Sequence, residues 1–165
     1  MKNLNLILHN IRSLHNLGAI LRTAEGAGVA KIFLTGYTPS PLNRFGRARK
    51  EVSKTALGAE KLVAFEKFSD VSRLIKKLKR DKIFIVSLER HKGVVSYKDF
   101  AKKYSFKIKA KNGLALILGN EVRGLSKNIL KKSDAVIQIP MRGKKESLNV
   151  SVAAGIALFE LRGLF

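Results

Sequence analysis

Apolar and polar positions along this 165-residue chain follow two rhythms. Residues 4–8 and 31–34 are short apolar runs of strand length. Between them Leu17, Ile20, Leu21 and Ala24 recur at i, i+3, i+4 and i+7, the spacing of one helix face. That spacing predicts a helix over 16–28, with Asn16 suited to its N-cap and Gly28 to its C-cap. A loop follows over 36–50, marked by Pro39, Pro41 and a run of arginines. Further on, the pattern predicts a strand over 61–65, a helix over 71–79 and a strand over 82–88. An irregular stretch over 91–111 comes next, with Tyr97, Phe100, Tyr104 and Phe106 among its lysines. Residues 114–119 and 135–140 read as strands joined by a turn and a short helix near 126–131. A last helix starts near Leu148. Strands alternating with helices, several of them continuously apolar, predict an α/β fold with a mostly parallel, buried sheet.

The last helix breaks the amphipathic rule. Val150, Val152, Ala153, Ile156, Ala157, Leu158, Phe159 and Leu161 spread around nearly its whole circumference, and such a helix needs cover on every side. A second copy of the chain is the expected cover. No repeat, low-complexity linker or second domain interrupts residues 1–165, which predicts one domain.

Composition adds a partner. Lys and Arg total 33 against 12 Asp and Glu, a formal charge of +21. The excess is concentrated in 67–82, 98–111 and 127–145 and nearly absent from 148–165. A balance this lopsided predicts a polyanion, nucleic acid ahead of an anionic membrane, because no basic helix has a strong apolar face. There is no cysteine, which excludes disulfides and thiolate metal sites. No apolar run approaches the ~20 residues of a membrane span, and asparagines interrupt the N-terminal apolar stretch. A soluble, cytoplasmic protein is expected. His9, His15 and His91 lack metal-ligand spacing, so no metal is expected.

Three polar constellations sit at the edges of apolar elements. In the first, Arg22 lies one position off its helix's apolar stripe; it either pairs with Glu25 at i+3 or offers a guanidinium to a phosphate. In the second, Leu118-Gly119-Asn120-Glu121 follows a strand, where open α/β sheets place ligands, although an ordinary turn capped at Ser126 would read the same way. In the third, Ser147 and Asn149 open the last helix behind Arg142, Lys144 and Lys145, as caps or as groups turned toward a site.

Together the three resemble the SPOUT superfamily of RNA methyltransferases, in particular its SpoU (TrmH-like) branch. Asn16 followed by Arg22 is similar to the family's first motif, Gly119-Asn120-Glu121 with Gly124-Leu125-Ser126 to its second, and Ile139-Pro140-Met141 with residues 147–151 to its third. The resemblance runs over essentially the whole chain. It implies an α/β fold whose C-terminal segment forms a deep trefoil knot, an exception to the usual rule against knots. It also implies a homodimer binding S-adenosylmethionine and RNA. By resemblance, Leu88, Leu118, Gly119, Asn120, Ile139, Met141 and Leu148 would hold the cofactor. Arg22, Asn16, Glu121, Ser147 and Asn149 would serve methyl transfer to a ribose 2′-hydroxyl.

An arginine is always protonated, so Arg22 is expected to grip a phosphate and stabilise the developing alkoxide while that phosphate or a water takes the proton. RNA recognition is expected from basic loops at 42–54 and 98–111, with tRNA slightly ahead of ribosomal RNA. The alternatives are a non-catalytic RNA-binding protein that keeps the fold, and an enzyme that methylates a base.

Overall fold

A computed structural model describes residues 3–91 and 94–165; Met1 and Lys2, and Lys92 and Gly93 of the predicted 91–111 stretch, lie outside the described residues. In chain order the elements are β1 (Asn3–His9), α1 (Leu14–Gly26), β2 (Lys31–Thr35), α2 (Lys50–Ala56), β3 (Phe65–Phe68), α3 (Val71–Arg80) and β4 (Ile83–Leu88). Then come β5 (Val95–Ser96), α4 (Phe100–Lys109), β6 (Gly113–Leu118), α5 (Lys127–Lys132), β7 (Ala135–Gln138) and α6 (Val150–Arg162). The strands form one seven-stranded sheet in the order β3-β2-β1-β6-β4-β7-β5, and every pairing is parallel.

The continuous apolar strands are explained by cover on both faces. Leu4, Leu6 and Leu8 of β1, with Leu114, Leu116 and Leu118 of β6, pack in one core with α1, α4 and α6. Ile7, Ala115 and Ile117 point the other way, into a second core with α3 and α5. Period-2 alternation puts successive side chains on opposite faces, so a strand with both faces buried has no polar positions to spare.

Four expectations are corrected. The first helix begins at Leu14, because Ser13 accepts a hydrogen bond from the Asn16 backbone and is the N-cap. This frees the Asn16 side chain; Ala27 is the C-cap, and Gly28, with φ 65°, lies beyond it. The strand expected over 61–65 lies at Phe65–Phe68: residues 59–61 make a 3-10 turn, Leu62 is exposed, and pairing with Ile32–Thr35 sets the register. The loop expected over 36–50 gives way at Lys50 to α2, whose Val52 and Ala56 bury against α1. The irregular stretch contains α4, with Phe100, Tyr104 and Ile108 one turn apart and directed into the core. Phe84, Phe100 and Tyr104 form a ring cluster there. Lysines between these positions hide the helical period from a linear reading.

Candidate active site

β1, β4, β6 and β7 are neighbours, and all four end on one edge of the sheet. Open α/β sheets place ligands at such a C-terminal edge. After Leu118 the chain makes a turn held by Asn120, which is buried. Its Oδ1 accepts from the backbones of Val122 (3.0 Å) and Arg123 (2.9 Å), and its Nδ2 donates to Asn10 O (3.1 Å) and Tyr37 Oη (2.9 Å). The side chain expected to hold the cofactor therefore also locks the turn to β1 and to the segment after β2. Gly124 closes the turn at φ 63° against the Glu89 carboxylate, where a Cβ would collide.

An open cleft of about 870 Å³ lies at this edge. All seven residues expected at the cofactor, from Leu88 to Leu148, line it, and so do Glu121 and Ser147. Asn16 and Asn149 join them through a relay: Asn16 Nδ2 donates to Glu121 Oε1 (3.1 Å), and Asn149 Nδ2 donates to Asn16 Oδ1 (3.2 Å). Asn149 also caps α6, its Oδ1 accepting from the Ser151 backbone at 2.8 Å. The same side chain thus caps α6 and reaches Asn16 on α1.

Arg22 is elsewhere. It lies six residues beyond Asn16 on α1, about 9 Å further along the axis, and lines a second groove with Ala19, Thr23, Gly26, Lys54, Thr55 and Phe159. It is exposed. Within one chain, four of the five residues expected at the reaction centre come together and the arginine does not.

Sequence reasoning missed two further residues at the cleft and one that supports it. Glu89 Oε2 accepts from Leu125 N at 2.7 Å, tying the end of β4 to the turn after β6. Arg90 Nη1 donates to Glu146 O at 3.0 Å, bridging two cleft walls. Tyr37 holds Asn120. A glutamate and an arginine after a strand carry no signal of their own, and the contact from Tyr37 spans 83 residues.

The cleft suits a small organic ligand with apolar and polar parts. Its volume falls within the usual 300–1,000 Å³ of small-molecule sites, its walls include Leu88, Leu118, Ile139 and Leu148, and its polar groups include the carboxylates of Glu89, Glu121 and Glu146. Among the described residues, no group of three or more His, Asp or Glu gathers to hold a metal. No helix among them is long and apolar enough to cross a membrane.

The model of the SpoU rRNA Methylase family matches residues 3–159. The chain belongs to that family. It is 34% identical over 157 residues to the 23S rRNA (guanosine-2′-O-)-methyltransferase RlmB of Coxiella burnetii, covering 95% of this chain and 57% of the relative. Against RlmB of Escherichia coli K12 the identity is 35% over 155 residues, covering 94% and 58%.

Among solved structures, the AdoMet-bound rRNA methyltransferase of Sinorhizobium meliloti superposes with a TM-score of 0.84 at 27% identity, over 99% of this chain and 57% of that one. The A. aeolicus TrmH/SpoU tRNA modifying enzyme superposes with a TM-score of 0.80 at 28% identity, over 99% and 76%. The chain thus spans somewhat more than half the length of the curated relatives it matches. The residues that resemble the family's motifs lie on α1, on the turn after β6, and from the end of β7 into the first turn of α6.

Proposed function

We propose that the protein is a homodimeric RNA methyltransferase that uses S-adenosylmethionine to methylate a ribose 2′-hydroxyl. The observation that carries this reading is the convergence of Leu118 to Glu121, Ile139 and Met141, and Ser147 and Leu148 on one cleft, joined there by Asn16 and Asn149. We infer further that the segment over 139–149 threads through the chain as the family's knot, a reading supported by its contact with the same cleft as residues 88–91 and 118–124.

Leu88, Leu118, Gly119, Asn120, Ile139, Met141 and Leu148 would hold S-adenosylmethionine. The bound cofactor supplies an electrophilic methyl group on a positively charged sulfur. What remains for the chain is the acceptor: a 2′-hydroxyl is a weak nucleophile unless its proton departs as the new bond forms. Glu121, oriented by Asn16, and Asn16, oriented by Asn149, give a fixed set of acceptors and donors for the ribose. Ser147 adds a hydroxyl on the same wall. Arg22 clamps the adjoining phosphate and stabilises the developing alkoxide, while that phosphate or a water takes the 2′-hydroxyl proton.

Since Arg22 does not line its own chain's cleft, the dimer reading assigns it to the partner's site. Support comes from α6, which leaves Val152 51% and Phe159 58% exposed, the latter beside Arg22.

The preference for tRNA drawn from sequence is replaced by one for ribosomal RNA, because the relatives at 34–35% identity are named for 23S rRNA guanosine methylation. The expected substrate is a guanosine ribose in ribosomal RNA, testable by mapping ribose methylation with and without the protein. Arg22→Ala should keep S-adenosylmethionine affinity but lower methyl transfer by about a hundredfold or more. Mixing refolded Arg22→Ala and Ser147→Ala chains should restore activity, because one site of each mixed dimer then has both residues. Mixed chains as inactive as either parent would return Arg22 to its own subunit.

A further inference from the structure

Between β2 and α2 the chain builds a turn that neither core requires. Leu42 and Ala48 form an antiparallel bridge, Asn43 N donates to Arg47 O (2.8 Å), and Gly46 N donates to Asn43 O (3.0 Å). Asn43 Oδ1 also accepts from the backbones of Phe45 (2.9 Å) and Arg47 (3.1 Å). Arg49 closes the base, its Nε donating to Ser40 O at 3.0 Å and its backbone to Pro41 O at 2.9 Å. So many bonds across so few residues make a preorganised turn.

The tip of this turn points away from both cores. Phe45 is 70% exposed, and the Arg44 guanidinium lies 4.7 Å from its ring centroid. Arg47 is exposed two residues on. From 42 to 54 there are Arg44, Arg47, Arg49, Lys50 and Lys54, with Glu51 the sole acid. The root of the segment is pinned to the cleft edge: Tyr37 N donates to Asn10 Oδ1 (3.1 Å), and Tyr37 Oη accepts from Asn120, the neighbour of Glu121.

We propose that Phe45, with Arg44 and Arg47, is a stacking site for an unpaired nucleobase of RNA, outside the cleft where methyl transfer would occur. The proposal rests on the RNA-methyltransferase reading and adds to it a second contact with the substrate. Base–aromatic stacking tolerates any base, since each has a π-face, and flanking arginines supply phosphate contacts and cation–π attraction. A ring held on a rigid turn by two side-chain torsions loses little freedom on binding. A protein partner would have to bury Phe45 within a ring of uncompensated positive charge, whereas RNA brings the neutralising phosphates with the base. The anchorage through Tyr37 and Asn120 makes the turn a lever on the acceptor strand: a nucleotide caught at Phe45 biases where the chain of riboses enters the cleft.

The chain contains no tryptophan, so Phe45→Trp introduces a single indole reporter at the tip. A short single-stranded RNA should quench its emission more than a fully paired duplex of the same sequence. Phe45→Ala should weaken binding of the single strand by about tenfold or more. Phe45→Tyr should bind like wild type, Phe45→Leu like the alanine variant. The salt slope should persist in Phe45→Ala and fall in Arg44→Ala/Arg47→Ala, which removes two phosphate partners.

Undiminished binding by Phe45→Ala, or a leucine as good as a tyrosine, would overturn the stacking site alone. A change of oligomeric mass in Phe45→Ala, read by sedimentation, would reassign the ring to a protein contact and overturn it as well. Wild-type protein that binds neither RNA would overturn the RNA reading together with this proposal.

Discussion

His9 shows how closely the cleft edge is assembled. The Asn10 amide Nδ2 meets its Nε2 at 3.1 Å, while Asn10 Oδ1 accepts from the Tyr37 backbone. The imidazole therefore accepts at Nε2 and donates from Nδ1 to Thr35 Oγ1, at 2.9 Å. Thr35 in turn donates to Leu8 O. This chain of bonds requires the neutral ring, and burial holds the His9 pKa below its ordinary value of 6.5. With the folded value depressed, the unfolded chain binds a proton first as pH falls. Stability should therefore be full above pH 6.5 and decline below it. Urea unfolding across that range, compared with His9→Gln, checks this: the wild type should lose stability toward low pH more steeply than the variant. An equal slope in both proteins would remove His9 as the source.

Between elements, α1 packs tightly against α2 at Gly18. A Cβ at Gly18 would collide with Thr55 Oγ1 and Val52 O. Two effects of Gly18→Ala oppose each other: alanine favours a helix interior by about 1 kcal/mol, while overpacking costs about 1–3 kcal/mol. With backbone among the clashing atoms the second should win, for a net loss of about 1–2 kcal/mol measurable by denaturant unfolding. A more stable variant would mean that α2 can slide without cost. The same pair of helices explains an uneven reading of the sequence. α1 is plain because its apolar stripe is regular, whereas α2 is short, and only Val52 and Ala56 of it are buried. α4 was obscured for another reason: its core stripe of Phe100, Tyr104 and Ile108 shares the helix with four lysines and the exposed Phe106.

For the molecule as a whole, charge decides the physics of its partner. A net +21 far exceeds what pairing absorbs; ion pairs among the described residues include Lys31–Glu66, Arg73–Asp70 and Lys79–Asp134. Most of the positive charge is left for an external polyanion. RNA affinity should fall steeply and log-linearly with salt, by about 0.7 in slope for each single-stranded phosphate contacted. A filter-binding titration at several salt concentrations reads this directly, and a flat response would reduce the charge to a solubility feature. α6 lies in a sparsely charged stretch, with only Glu160 and Arg162 charged from 148 to 165, which suits the dimer contact proposed above.

Local chemistry was legible from the order of residues alone: buried strands from unbroken apolar runs, α1 and α3 from their periods, α6 from its all-round apolar surface, and the three polar clusters from their spacing. It was legible because each depends on neighbours within a few positions. The meeting of Asn16 with Glu121 across 105 residues, and of Asn149 with Asn16 across 133, depends instead on β6 inserting between β1 and β4, a choice no local pattern encodes. Tertiary packing also put Arg22 in a groove of its own and made Asn120 the lock of the turn, whereas the turn that carries Phe45 is held by local bonds. Packing brings distant segments to a common edge, and only there do their polar groups acquire partners and roles.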